Sequence, residues 1–281
     1  MTFRTSRPLL AITTILLAAT TARAFDVADL ARARGGDRNL ARANLARATL
    51  ASVNLTSANL TGATLTWANF QDANFSNANL SNANLSNATL AGATLAGANL
   101  TGANLFGAVL SASLSGATNY TSVVTNLTGA NLTGANLSRT NLSRANFTSA
   151  TLSRATLTGA NLASANLASA TLTGANFTSA TLTGANFTGA ILTGTNLTGT
   201  NLTGANFTGT NLTRATLTRA ALINVFCNTA TRWPAGFTPP SCWEQARLAE
   251  QARLAEQARL AEQARLAEQA RQANVARARG G

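Results

Sequence analysis

The chain has 281 residues, 21 of them Arg, with no Lys or His, nine acidic residues and a net charge of +12. Without His or Lys the usual general base, imidazole metal ligand and activated amine are missing. The acids do not form a carboxylate pair, so no catalytic, metal or cofactor site is expected and the chain reads as non-enzymatic.

Residues 1–24 read as an export signal: Arg4 and Arg7, an apolar run from Leu9 to Ala22, then Ala22-Arg23-Ala24 as a small-x-small cleavage site. The run is too short for a membrane span. Cleavage after Ala24 and a periplasmic or secreted destination are expected, with no transmembrane segment in the mature chain. Residues 25–39 read as an N-terminal cap anchored by Phe25, Val27 and Leu30.

From Leu40 to Leu222 one five-residue unit recurs, roughly A-(N/T)-(L/F)-(T/S/A)-x. Leu or Phe is central at 15 steps from Leu40 to Leu110 and at 20 more from Leu127 to Leu222, and Ala stands two places earlier in 28 of these 35 units. A helix turns about 100° per residue, so a five-residue step would scatter the Leu positions around its axis. A straight strand alternates its side chains, so an odd step would send successive Leu to opposite faces. Both conflicts vanish if the chain turns a corner once per unit. Ala and Leu then point inward, Asn or Thr points outward, and the fifth residue sits at the bend, where Gly and Asn tolerate unusual backbone angles. The period therefore predicts an all-β solenoid over 40–226.

Units such as ANLTG at 130–134 and ANFTG at 205–209 resemble the pentapeptide-repeat family, and the likeness covers about two thirds of the chain. The resemblance implies a right-handed quadrilateral β-helix with four units per coil. That gives eight to nine coils and a rod roughly 40 Å long at about 4.8 Å per layer. The family's best-known activity is DNA mimicry against gyrase by an acidic rod. The array here carries Arg42, Arg47, Arg139, Arg144, Arg154, Arg214 and Arg219, all at the fifth position, against Asp72 alone. This surface argues against DNA mimicry. The seven Arg are candidate contacts for an anionic envelope polymer or membrane surface. Nucleic acid fits poorly, because the Arg are spread out with no interleaved aromatics. A third reading rests on TLT units (Thr64-Thr66, Thr156-Thr158, Thr171-Thr173, Thr181-Thr183), which are similar to the rows of ice-binding solenoids but are scattered over several faces. Asn126, Asn146, Asn166, Asn186 and Asn206 fall on one face and suggest a side-chain ladder.

Between Leu110 and Leu127 the spacing slips by two residues. Ala112-Ser113-Leu114 reads as a unit one residue early, and an irregular segment over 111–126 is expected to protrude, carrying Tyr120 as a candidate contact. Cys227 and Cys242 flank the segment after the array, and an even pair in an exported chain favours a disulfide. The segment resembles the Cys-Asn-Thr…Pro…Cys tails of some family members, so 227–243 reads as a C-terminal cap, with Trp233, Phe237 and Trp243 over the last coil. Residues 244–273 repeat EQARLA and predict a helix. A six-residue step leaves Leu248, Leu254 and Leu260 about 120° apart, so no heptad seam forms, and an oligomer through this helix stands as an alternative to a solvated one. Residues 274–281 form a basic tail, in which ARARGG at 276–281 echoes 31–36.

Overall fold

The computed structural model describes residues 25–111, 124–239, 251 and 253–266. Its centre is a stack of four-sided coils. Outward residues pair in parallel with those twenty positions on, as Asn39 with Asn59 and Asn44 with Thr64. Twenty residues per coil means four units per coil. The sides beginning at Asn39, Asn44, Thr49 and Asn54 are numbered 1 to 4, and the corner after each side takes the same number.

The unit's composition follows from its hydrogen bonds. In the unit of Leu60, the Leu60 N–H donates to Asn79 O of the next coil, and the Gly62 N–H to Ser81 O. The Asn59 N–H donates backward to Arg38 O, and the Ala63 N–H closes the corner on Leu60 O. One N–H remains, that of Thr61, and the Asn59 side-chain oxygen accepts it at 3.1 Å. All five donors of the unit are thus satisfied, as buried backbone requires. Asn before the Leu is therefore part of the corner. Asn ladders between coils are present but intermittent, as from Asn186 to Asn166 at 3.0 Å and from Asn166 to Asn146 at 3.5 Å.

The central Leu and Phe column is fully buried through most of the array, with Ala beside it in the narrow interior. Where Thr replaces that Ala, its hydroxyl finds a carbonyl. Thr140 donates to Leu105 O at 3.1 Å, Thr195 to Leu172 O at 3.0 Å and Thr210 to Phe187 O at 2.7 Å.

Three boundaries differ from the sequence reading. First, Thr94 pairs with Asn126 and Asn99 with Asn131, 32 positions apart instead of 20. The register therefore shifts by twelve residues here, not two. Thr125 and Leu127 occupy the Ala and Leu places directly after Leu110, and Ala112-Ser113-Leu114 lies outside the described residues. The excursion leaves through an antiparallel bridge between Ser111 and Val124, and the buried Thr125 hydroxyl donates to Leu90 O and Leu110 O beneath it. Tyr120 lies outside the described residues.

Second, the stack outlasts the recognisable repeats. Asn206 pairs with Phe226, and Asn211 with Arg232 after one extra residue. Cys227 and Trp233 therefore take Leu places. Phe187 stacks on Phe207 at 5.3 Å, and Trp233 touches Phe207 at 5.7 Å and Phe237 at 5.3 Å. Trp243 and Cys242 lie outside the described residues.

Third, the N-terminal cap is a short helix, α1 (Val27–Arg34), started by Asp26, whose carboxylate accepts from the Ala28 and Asp29 N–H groups. Leu30 and Ala33, three apart on one face, are buried, and Phe25 packs beside them. Val27, at the first position of the helix and three residues before Leu30, is 49% exposed and is not an anchor. At the other end α2, residues 253–266, is helical. Its Leu254, Leu260 and Leu266 are exposed, as a six-residue period dictates. Glu256–Arg259 and Glu262–Arg265 pair along its surface at 2.7 and 2.8 Å.

Candidate functional site: the corners of the rod

Each described fifth position of the array adopts positive φ, whatever its residue. Gly does so freely, whereas an L residue there costs roughly 1–2 kcal/mol. Arg42, Arg47, Arg139, Arg144, Arg154, Arg214 and Arg219 all sit at φ between 55° and 63° and are exposed. Coil register sorts them. Arg42, Arg154 and Arg214 lie on corner 1, Arg47, Arg139 and Arg219 on corner 2, and Arg144 on corner 3. They do not converge on one patch. Asp72, the array's sole acid, stands on corner 3. Among the described residues no group of three or more His, Cys, Asp or Glu could hold a metal ion.

Corners also touch along the rod. A Cβ on Gly97, Gly102 or Gly107 would lie 2.4–2.6 Å from the side-chain oxygen of Asn77, Asn82 or Asn87, one coil before it. An Asn corner therefore lies flat over a Gly corner.

Corner 2 carries residues that the sequence reading passed over. Trp67 holds φ 60° there and is 61% exposed, and Phe106 is exposed on the same corner two coils on. No other aromatic residue occupies a described corner of the array. In coil order this edge reads Arg47, Trp67, Asn87, Phe106 (beside Gly107) and Arg139, with the Arg139 guanidinium 5.9 Å from the Phe106 ring centre. Reading the sequence in steps of twenty would have aligned the first four. Placing Arg139 needs the twelve-residue excursion.

At the N-terminal end, Arg32 pairs with Asp29 and Asp37, each at 2.9 Å, and also donates to Asn39 O. The Asn39 N–H, followed by the Arg32 guanidinium, holds the Asp37 carboxyl below the usual carboxylate range. Arg34 and Arg38 donate to the carbonyls of Thr49 and Asn54, tying the cap to the first coil. At the distal end Cys227 is 7% exposed, and no described cysteine is free.

A four-sided stack of pentapeptide units defines the class, a repeat solenoid. The Pentapeptide repeats family model matches residues 39–77, 73–111, 125–162, 160–199 and 190–226, leaving out the excursion. The chain belongs to the pentapeptide-repeat family, whose fold is the right-handed quadrilateral β-helix and whose members are generally non-enzymatic structural or interaction proteins. Among solved structures it is similar to HetL, a pentapeptide repeat protein involved in heterocyst differentiation regulation from the cyanobacterium Nostoc, at 33% identity over 70% of this chain and 92% of that one, with a TM-score of 0.31. It is also similar to a pentapeptide repeat protein of the Arabidopsis thaliana thylakoid lumen, at 31% identity over 37% of this chain and 65% of that one, TM-score 0.32. A third, QnrB1, a plasmid-mediated fluoroquinolone resistance protein, is 18% identical over 61% of this chain and 90% of that one, TM-score 0.34. No curated protein sequence matches. Among the described residues no helix is long and apolar enough to cross a membrane.

Proposed function

We propose that this is an exported, non-enzymatic interaction rod, which presents partner-binding side chains at the corners of a rigid β-helix. One observation carries the reading: each described corner of the array holds the same backbone bend whatever its residue, so side chains there vary without disturbing the core. The Sec-type start at 1–24, with cleavage after Ala24, supports a periplasmic or secreted location. In this reading Cys227 bonds Cys242 and the cap over 227–243 closes the last coil. Support comes from the burial of Cys227 at a Leu place and from the lack of a free described cysteine. Affinity capture from the native envelope, with the full chain and with a form lacking 244–281, tests the main reading. A reproducible partner retained by both forms is the expected result; secretion-independent cytoplasmic accumulation of an uncleaved chain would overturn it.

A second reading, binding of an anionic envelope polymer or membrane surface through the corner Arg, is favoured by the array's seven Arg against one Asp. Gyrase inhibition by DNA mimicry is disfavoured by the same balance, since a mimic of a polyanion needs an acidic surface.

A further inference from the structure

We propose that corner 2 of coils 1 to 5 is a linear binding site for an anionic polysaccharide. The inference deepens the rod reading by naming a surface and a ligand class. It begins with an outlier. Trp67 is a bulky L residue held in the left-handed region, where Gly would be free of strain, and it stands mostly in solvent. Its indole N–H makes no hydrogen bond among the described residues.

The second observation is alignment. The two corner aromatics of the array share one corner, separated by two layers, about 10 Å at ~4.8 Å per layer. Asn87 stands between them, and Arg47 and Arg139 stand one layer beyond each, giving a span of about 19 Å. This edge matches an extended sugar chain. The apolar faces of two pyranose rings would lie on Trp67 and Phe106, as aromatic side chains accept flat C–H surfaces. Hydroxyls of the intervening sugar would meet Asn87 and Ser86, and carboxylates or sulfates would meet Arg47 and Arg139.

Charge spacing selects the polymer. A single nucleic-acid strand carries a phosphate about every 3.4 Å, so some five phosphates would cover a span that offers two Arg. A polysaccharide with one anionic group per few sugars fits two cations at the ends of a neutral, aromatic middle. A lipid surface would need its cations spread on one plane, whereas Arg42, Arg144, Arg154 and Arg214 stand on other corners.

The test uses the full mature chain with hyaluronan as the anionic probe, dextran as the neutral one, oligo-dT and phosphatidylglycerol vesicles, read by affinity electrophoresis and Trp fluorescence. Hyaluronan should bind in a salt-sensitive manner and dextran weakly. W67S and F106S should each weaken hyaluronan about tenfold, equal to about 1.4 kcal/mol. R47S/R139S should remove most of the salt dependence, and Q71S, on corner 3, should change nothing. These variants are expected to fold. Ser already holds φ 56–58° at six other fifth positions, and Ser86 and Ser138 flank Phe106 in the neighbouring coils. Unchanged thermal unfolding checks that. Equal binding by W67S/F106S and wild type, tighter binding of oligo-dT or vesicles, or no binding of hyaluronan would each overturn the proposal. Envelope capture of a protein partner in that event would leave the rod reading standing.

Discussion

The coils before the excursion and those after it share one backbone and differ in what they do with it. From Leu40 to Leu110 the inward small residue is Ala in 13 of 15 units; from Leu127 to Leu222 five of 20 units place Thr there. The first array also holds every Asn of its corners over Gly, as in Asn82 over Gly102, and carries both corner aromatics. The second has corners of Gly, Ser and Arg up to Asn224. Hydrogen bonding and the Leu column set the coil, while the small inward slot and the corner remain free to vary. A rod of this kind can acquire a local surface at a cost of about 1–2 kcal/mol per non-glycine corner, with the backbone bend unchanged.

The largest test of that equivalence is core truncation. Leu80→Ala and Leu172→Ala remove fully buried residues, one from each array, and should each cost about 2–5 kcal/mol in chemical denaturation. A difference above the measurement error would show that the arrays are not interchangeable. Next come two corner-1 glycines on successive coils across the excursion. Gly134→Ala meets nothing within 4 Å and should cost about 1–2 kcal/mol from backbone strain alone. Gly102→Ala also drives a Cβ to 2.6 Å from the Asn82 oxygen and should cost more, with Asn82→Ser restoring the difference. Thermal unfolding of the two single variants and the double variant reads this directly. A smaller effect is expected for the polar slot. Thr195→Val should cost about 0.5–1.5 kcal/mol, because its bond to Leu172 O is lost while that carbonyl keeps the Ala175 N–H.

The smallest effect is on pH. Asp37 has its pKa lowered by the Asn39 N–H and by Arg32, so its contribution is present above the unfolded value of about 3.9 and is lost as pH falls through the lower folded value. In acid, amide protection should fall in α1 and the first coil before the Leu column responds. Uniform protection throughout an acid titration in which Asp37 is seen to protonate would show that the cap does not depend on that carboxylate.

The fold was legible because a five-residue step that keeps Leu inside allows only a chain that turns at every unit. The roles of Ala, Leu and the bend could be assigned one by one. The corner site was much less so. Trp67 and Phe106 look like two exceptions 39 residues apart, and Arg139 lies beyond the excursion; with a slip of two residues it falls on corner 4 instead of corner 2. Cys227 and Trp233 were also hidden, since neither resembles Leu and an extra residue separates them.

By itself, then, the sequence determined the repeat, its inward and outward positions, the positive charge of the corners and the absence of His and Lys, because these depend on residue type and period. The tertiary structure alone decided which residues are neighbours across coils. Parallel pairing steps from Thr94 to Asn126, twelve residues more than a regular coil, and that step aligns Arg47, Trp67, Asn87, Phe106 and Arg139 on one edge.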